Sequence, residues 1–557
     1  MTAAADKIVV LGLAGIDWPD LSARAGGGQI PAIANLIARG TAGRLLASEA
    51  PHGPAAWATL ATGLGADRHG IILREEAWAG GLRPVGRAAW KSDPVWLRLA
   101  DAGVATAGVG WTGTAPGEAW PGVHVDERFP TAGGKLPGEW LLPPGVAPPD
   151  WRETLRDLRM HPLDVTGAML APFVPALHTV DQARDHRLVD LALMVAELST
   201  GHAAAMALLE RAPWQALFVH HRWIEAVHAR FAKAAPPFGG VVDAAWTLLD
   251  ALVGAVAAAL PENATILLVS PGNPGRAGIV IAAGPGIASG QVFHAAQARD
   301  VVPTLLAQLG YADPSLPGRA LLSHPAPLRA LERGGRSVRD VTPDADDLAR
   351  VASFGHVPPQ VPPAWQARKL AAEAQILLAQ DPAAAGRRAD AALAIDPRLI
   401  PALGVRAAAH AAAEEAEPLP ELADRIDAAA PGHLWASLVR AGYHALRAEA
   451  ALARPYLKHV EAHGGPEELL RVAAAWMMLK RPAEAAHAFE TVLASQPDNV
   501  SALLGLAIAR TDRPLLAEPP LRRVLDLDPA HEPAREVLAD LLRRTGRGAE
   551  AVVIERT

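Results

Sequence analysis

Five short apolar runs, rich in β-branched residues, constrain the fold of the N-terminal half more than any other feature. They alternate with longer segments that have helical periodicity. This alternation predicts an α/β fold, with a mostly parallel sheet sandwiched by helices. The predicted strands are residues 7–13, 104–110, 216–221, 264–270 and 278–284, and the helical patterns between them include 30–40, 93–103 and 241–260. In such sheets the chemistry lies at the carboxyl ends of the strands, so the residues after each strand are the candidate site residues.

The segment from about 112 to 212 departs from this alternation. Pro, Gly and Trp crowd its first part, and a helical stretch follows from about 180 to 211. We predict an inserted cap that lies over the sheet and is not part of it. The Pro-rich phrase HVPPQVPPAW ends at residue 365 and marks a domain boundary. The predicted domains are 1–340, a linker at 341–365 and a helical domain at 366–557.

The helical domain has an internal period. Prolines in similar settings fall at Pro397, Pro431, Pro466, Pro497 and Pro529, at spacings of 34, 35, 31 and 32 residues. A period near 34 with two helices per unit resembles a degenerate tetratricopeptide repeat, and an unrelated helical array stays open as an alternative. Stacked helix pairs form a concave surface that commonly binds proteins, so we expect a protein partner on residues 366–557.

Composition excludes several classes of function. The net charge of -7 gives no reason to expect a nucleic-acid partner. The chain has no cysteine, which excludes disulfides and thiolate metal sites. The longest apolar run, at 251–260, is about half of what a bilayer needs, so no membrane span is expected. The N-terminus lacks the features of a signal peptide. The sequence therefore predicts a cytoplasmic protein.

Five ordered blocks carry a resemblance to a known family. They begin with IVVLGLAGIDWPDL and end with DVVPTLLAQLGYADPSLPGRALL, and they include the phrases ATG, HGI and GPGI. Their order and spacing resemble the type I phosphodiesterase/nucleotide pyrophosphatase branch of the alkaline phosphatase superfamily. The resemblance spans roughly residues 7–323 and implies an alkaline phosphatase-like fold. The phrase SFGHV at 353–357 is similar to one that precedes C-terminal repeats in some members.

The resemblance also implies a mechanism that this sequence does not support. The family's reaction uses two divalent cations, usually zinc, held by Asp and His side chains, and a Ser or Thr nucleophile. Here the nucleophile position is Gly53, and of the ligand positions only Glu225 offers an oxygen. The other positions are Ala14, Ala229, Pro271 and Gly272, and the stretch 273–276 has no His. Asp17, three residues after Ala14, is predicted to be a local cap or turn residue.

These substitutions predict a catalytically inactive, phosphodiesterase-like pseudoenzyme. It would act as a protein-interaction scaffold or regulatory subunit and would need no cofactor. A phosphorylated small molecule is a further expected partner, because an arginine can hold a phosphate without a metal. The candidate ligand-binding residues are His220, His221, Arg222 and Arg276. Solvated surface arginines remain an open alternative.

The rival prediction is an active metal-dependent phosphatase or phosphodiesterase with a rearranged site. His221, Glu225 and His228 have spacings of four and three, which would place them on one face of a helix, and His220 adds a fourth candidate. Zinc or manganese would be the cofactor. However, the run ALFV at 216–219 predicts a strand that ends near His221, with the helix starting later.

Overall fold

The computed structural model describes residues 6–46, 53–78, 81–115, 122–130, 145–273, 276–322, 326–331, 361–527 and 531–556. The chain divides into two compact units, Met1–Gln360 and Val361–Thr557. Most of the predicted linker and the phrase SFGHV lie outside the described residues. The first unit contains the sheet and the second contains the helical repeats, which confirms the predicted fold class.

The described strands all belong to the first unit, and nine of them form one sheet. The strands are β1 (Lys7–Leu13), β2 (Thr41–Leu46), β3 (Glu75–Trp78), β4 (Gly81–Pro84), β5 (Thr106–Val109), β6 (Gly122–Val125), β7 (Val146–Ala147), β8 (Ala216–His221), β9 (Ala264–Ser270), β10 (Gly278–Ala283), β11 (Gln291–Gln297), β12 (Tyr311–Ala312) and β13 (Arg329–Ala330). The strand order in the large sheet is β11-β2-β10-β9-β1-β8-β5-β6-β7.

The pairing is mostly parallel. β1 runs parallel to β8 and β9, and β5 runs parallel to β8 and β6. β10 is antiparallel to both of its neighbours, β9 and β2, and β7 is antiparallel to β6. The five predicted strands are confirmed as β1, β5, β8, β9 and β10. The structure adds four strands to the sheet that the sequence did not predict: β2, β6, β7 and β11.

The helices of the first unit cover both faces of the sheet. They are α1 (Trp18–Gly26), α2 (Pro31–Arg39), α3 (Pro54–Thr62), α4 (Ala66–His69), α5 (Val95–Asp101), α6 (Trp151–Arg156), α7 (Gly167–Leu170), α8 (Arg187–Arg211), α9 (Trp223–Phe231), α10 (Val241–Ala259) and α11 (Val301–Gln308). Alternate residues of β1 point to opposite faces. Val9 and Leu11 join the core under α1, α2 and α8–α10, whereas Ile8 and Val10 join the core under α3, α5 and α11.

The predicted cap needs one correction, because part of the segment 112–212 lies in the sheet. β6 pairs with β5, and β7 extends the sheet by one more strand. The sequence VHV at 123–125 is short but buried, and the Pro- and Gly-rich residues around it conceal its strand pattern. The helices of the segment pack against one sheet face, where Leu155, Leu170 and Leu191 join the apolar core. Residues 116–121 and 131–144 lie outside the described part.

Two helices of the first unit, α8 and α10, are longer than the apolar run at 251–260. By length and composition alone, α8 and α10 are long and apolar enough to cross a membrane. Both pack against the sheet through buried side chains such as Leu191 and Leu208 of α8 and Trp246 and Leu249 of α10. A core helix of a soluble protein passes the same test, so these helices are weak evidence for a membrane span.

The second unit consists of helices in its described residues. They are α12 (Pro363–Leu377), α13 (Pro382–Ile395), α14 (Ile400–Ala412), α15 (Leu419–Ala429), α16 (Leu434–Leu446), α17 (Ala450–His463), α18 (Pro466–Met478), α19 (Pro482–Ser495), α20 (Val500–Ala509), α21 (Pro514–Leu527), α22 (Glu532–Arg544) and α23 (Gly548–Arg556). The first helices of successive pairs begin at residues 363, 400, 434, 466, 500 and 532, which confirms a period near 34. Pro397, Pro431 and Pro497 lie between pairs and Pro466 begins one, while Pro529 lies outside the described residues.

The turns within three of these pairs share a backbone feature. Glu414, Ala448 and Lys480 have φ values of 58°, 58° and 56°, and each follows the first helix of its pair. The left-handed conformation at a helix end satisfies the terminal carbonyl groups, and it normally favours Gly. Three helix pairs therefore share a turn geometry that is occupied by non-glycine residues.

Candidate functional site

The carboxyl ends of β1 and β8 meet the start of α9 in close backbone contact. The Ala14 N–H donates to the His221 carbonyl (2.9 Å), and the Glu225 N–H donates to the Ala14 carbonyl (3.1 Å). Gly15 follows with φ +82°, and a Cβ at this position would lie 2.5 Å from the Glu225 nitrogen. The turn after β1 therefore requires glycine for both its conformation and its packing.

Gly53 lies immediately before α3, the helix whose Trp57 packs against His220. It precedes α3 with φ 81° and ψ -141°, and it makes no side-chain cap. A Cβ at Gly53 would lie 3.5 Å from the guanidinium of Arg74. This conformation is close to a region that only glycine occupies readily, and a β-carbon would be strained there. The position identified with the nucleophile therefore has neither a hydroxyl nor a backbone that suits a serine or threonine.

His220 and His221 are neighbours on β8, and they point to opposite faces of the sheet. His220 packs between Trp57 and Trp111, with ring centroids 4.1 Å and 5.7 Å away. Burial lowers the pKa of His220 to about 3, and the charge of Arg222 acts in the same direction. The imidazole is therefore neutral at physiological pH.

The hydrogen bonds of His220 indicate its tautomer. Nδ1 lies 3.2 Å from the Gly110 carbonyl oxygen and 3.2 Å from the Thr112 hydroxyl. Since a carbonyl can only accept, the proton is assigned to Nδ1, and Nε2 carries the lone pair. Nε2 is buried and has no hydrogen-bond partner among the described residues. His220 therefore offers one unused acceptor atom beside Trp57.

His221 points towards α8. Its ring lies 6.2 Å from that of His202, and Gly201 leaves room for it. Burial lowers the pKa of His221 to about 3, and the neighbouring His202 lowers it further. Burial also lowers the pKa of His202. The pair is therefore two neutral imidazoles on the face opposite to His220.

Glu225 and His228 do not join His221 on a helical face. His221 ends β8, Arg222 intervenes, and α9 begins at Trp223, as the apolar run ALFV predicts. Glu225 is paired with the exposed Arg222 at 3.4 Å. His228 faces the start of α1. Its pKa is lowered, mainly by burial and also by Arg24, although Asp20 and Asp17 act in the opposite direction. Within the described ranges, no group of three or more His, Asp or Glu side chains is placed to hold a metal ion.

Asp17 is the buried carboxylate of this edge, and its oxygens are occupied. It caps α1 by accepting the Asp20 N–H (3.0 Å), which confirms the predicted cap. It also accepts from Asn273 Nδ2 (2.9 Å) and pairs with Arg276 Nη2 (3.2 Å). Asn273 donates to the Gly15 carbonyl as well (3.2 Å). Arg276, a predicted phosphate ligand, is therefore already paired, although half of its side chain is exposed.

Two side chains near this edge escaped the sequence prediction. Glu127 follows β6 and accepts the Gly113 N–H (2.6 Å), and desolvation raises its pKa to about 8. The Arg222 charge opposes that rise. Its place after a strand is a signal that could have identified it. His202 gives no such signal, because only the packing of α8 against β8 brings it to His221.

Comparison with known families identifies the first unit. Residues 8–271 match the family described as type I phosphodiesterase / nucleotide pyrophosphatase. The first unit contains a domain of this family. This match confirms the resemblance predicted for the N-terminal half. It extends from β1 to the end of β9, and this part of the first unit is called the phosphodiesterase-family domain below. No curated protein has a significant sequence match to the chain.

Several solved structures are similar to about a third of this chain. A human IFIT1 dimer with m7Gppp-AAAA is 13% identical, with a TM-score of 0.29, and the match covers 34% of this chain and 49% of that one. This chain therefore spans about half the length of IFIT1. PilF of Pseudomonas aeruginosa is 15% identical over 34% of this chain and 90% of its own, with a TM-score of 0.29. YrrB, a TPR protein with an unusual peptide-binding site, is 18% identical over 30% and 90%, with a TM-score of 0.22.

Proposed function

We propose that the phosphodiesterase-family domain is a pseudoenzyme, and that the chain works as a protein-interaction scaffold or regulatory subunit. The observation that carries this proposal is the chemistry at the carboxyl edge of the sheet. Ala14, Gly53, Pro271 and Gly272 have no side-chain oxygen or nitrogen, so they can neither attack phosphorus nor ligate a cation. A pair of divalent cations does not fit this set of residues, and no metal cofactor is part of the proposal.

The backbone supports the same conclusion. Gly272 has φ +86°, and a Cβ there would collide with the carbonyl oxygen of Arg276. Gly53 also has a positive φ. An Asp or His at residue 272, or a Ser at residue 53, would therefore need a different backbone as well as a different side chain. The backbone conformation at residues 53 and 272 is therefore one that glycine adopts readily and other residues do not.

Asp17 adds an electrostatic argument. A metal-binding carboxylate keeps its oxygens for the cation, but those of Asp17 accept a backbone N–H, an amide and a guanidinium. Removing the charge of Arg276 would leave a buried carboxylate without its counter-ion, which is costly. The local charge is thus balanced by side chains of this chain.

Protein binding is assigned to the helical repeats, because stacked helix pairs expose a concave surface. A phosphorylated small molecule remains part of the proposal as a modulator of the first unit. Arg222 is the best-placed cation for it, since its side chain is 63% exposed and its contact with Glu225 is long, at 3.4 Å. His220 is a second candidate contact, because its Nε2 lone pair can accept from a hydroxyl group of such a ligand.

A hydrolysis assay tests the loss of catalysis. Generic phosphomonoester and phosphodiester substrates are incubated with purified full-length protein and added zinc or manganese. We expect no turnover above the rate of a heat-denatured control. Turnover that disappears in Glu225→Ala or His221→Ala would overturn the proposal and favour the rearranged metal site. Turnover that persists in both variants would overturn it too and would exclude those two residues as essential ligands.

A further inference from the structure

Two histidines of the repeat unit form a surface pair that the proposed scaffold function does not explain. His459 and His463 lie on α17, four residues apart, and both are exposed. Residues at i and i+4 of a helix are neighbours on one face. Their ring centroids are 4.8 Å apart with an interplanar angle of 44°. This separation is smaller than that of the buried His202 and His221 rings, 6.2 Å.

The hydrogen bond of His463 fixes which nitrogen is free. Its Nδ1 lies 2.9 Å from the His459 carbonyl oxygen, one turn earlier. The carbonyl can only accept, so Nδ1 carries the proton and Nε2 carries the lone pair. Histidines that ligate metals commonly donate their other N–H to a backbone carbonyl in this way, which sets the tautomer and orients the ring. The His463 ring is therefore held with Nε2 available to a ligand.

The spacing of the two rings fits a chelated cation. Metal–nitrogen bonds of about 2.0–2.1 Å place each ring centroid roughly 3.2 Å from the metal, so angles of about 90–110° separate the centroids by about 4.5–5.2 Å. The observed 4.8 Å lies within this range. From this geometry we propose that His459 and His463 bind a first-row divalent cation through two imidazole nitrogens.

The neighbouring charged residues do not complete a catalytic site. Glu461 lies between the two histidines in sequence, but it accepts from Trp476 Nε1 (2.8 Å) and pairs with Lys458. It is therefore not free to ligate the cation or to act as a base. Two protein nitrogens leave the other coordination positions to water or to a side chain of another molecule. The proposed site is a surface chelate, separate from the phosphodiesterase-family domain.

A titration of the untagged, metal-free, full-length protein tests the site. Cu²⁺, Ni²⁺ and Zn²⁺ are added in separate calorimetric titrations, and imidazole ligands should favour Cu²⁺ over the other two. The test variants are His459→Gln and His463→Gln. The matched control is His487→Gln, because His487 is exposed on the next helical pair and has no histidine four residues away. Helix content measured by circular dichroism verifies that each variant folds.

We expect the wild type and His487→Gln to bind one Cu²⁺ that each test variant binds at least about tenfold more weakly, since even indirect partners of a metal ligand contribute 10–100-fold. Copper should also broaden the imidazole proton resonances of His459 and His463 before those of His487. Equal stoichiometry and affinity in all four proteins would overturn the site. So would a loss in His487→Gln as large as that in the test variants.

Discussion

The two units bury very different side chains. Across the described residues, every buried polar or charged side chain lies in the first unit, between Asp17 and Gln308. The cores of the repeat unit consist of apolar side chains, with many alanines such as Ala385, Ala389 and Ala473. A buried polar group is costly unless it is paired, so a fold keeps such groups only at a cost in stability. The interior of the first unit therefore contains polar as well as apolar side chains, whereas the buried side chains of the repeat unit are apolar and hold the helices together.

Lowering the pH should produce the largest difference in stability between the two units. Burial lowers the pKa values of His69 and His124 to about 4 and those of His220 and His221 to about 3. The unfolded chain binds these protons near pH 6.5 and the folded chain does not, so stability falls as the pH drops below about 6.5 towards these folded values. Each such histidine removes up to about 1.4 kcal/mol per pH unit in that window.

Calorimetry at pH 7.5 and pH 5.5 measures this effect. We expect the unfolding of the first unit to shift down by several degrees. The raised pKa of Glu127, about 8, offsets part of the loss, because the folded chain keeps that proton over the same pH range. The repeat unit should shift much less, because its described residues bury no histidine. His220→Gln should reduce the shift of the first unit. Equal shifts of both units would refute the assignment of acid sensitivity to the buried histidines.

Replacing a core tryptophan should destabilise the repeat unit and leave the first unit unchanged. Trp476 is fully buried in the repeat unit, and its Nε1 donates to Glu461. Trp476→Ala should destabilise that unit by about 3–5 kcal/mol through the cavity it leaves. The transition of the first unit should stay in place, because the two units have separate apolar cores. Trp476→Phe keeps most of the buried volume and should cost less, and a full-size loss in that variant would contradict a packing role.

The glycine turn after β1 should be nearly as sensitive. Gly15→Ala introduces strain at φ +82° and a contact with the Glu225 backbone, for a cost of about 2–4 kcal/mol. Gly28→Ala is the control, since φ is +72° and nothing lies within 4 Å of the added carbon. Strain alone should then cost about 1–2 kcal/mol. Urea denaturation measures both, and similar losses would show that the contact with Glu225 contributes nothing.

A substitution in a repeat turn should have the smallest effect, and it should increase the stability of the repeat unit. Ala448 adopts φ 58°, where glycine is favoured. Ala448→Gly should stabilise the repeat unit by about 0.5–1 kcal/mol, the size expected when αL strain is relieved at some cost in chain entropy. Thermal unfolding measures the change. A loss of stability would show that entropy in the unfolded chain outweighs the strain.

The sequence predicted the central strands because each one is a short, mostly apolar run that is buried on both faces. Two strands in the outer parts of the sheet lack such a run: β2, which lies between β11 and β10, contains Gly43 and Arg44, and the edge strand β7 has only two residues. The sequence also predicted the repeat period, because prolines recur at similar places in successive helix pairs.

The candidate site was predictable only in part. The substituted positions, such as Gly53, follow from local motifs. The pairing of Asp17 with Asn273, 256 residues away, depends on the folded sheet, as does the contact between His202 and His221. Side chains that meet only through tertiary packing leave no mark in sequence periodicity.

Zinc-linked stability tests the central claim most directly, which is that the sheet edge holds no catalytic cation. The His459→Gln/His463→Gln protein removes the proposed surface chelate, and the Trp476→Ala shift identifies which transition belongs to the first unit. Ligand at 100 times its Kd stabilises a fold by about 2.7 kcal/mol, which moves a transition by several degrees. We predict that saturating zinc leaves the midpoint of the first unit unchanged. A rise of several degrees that is lost in His221→Ala or Glu225→Ala would contradict the account.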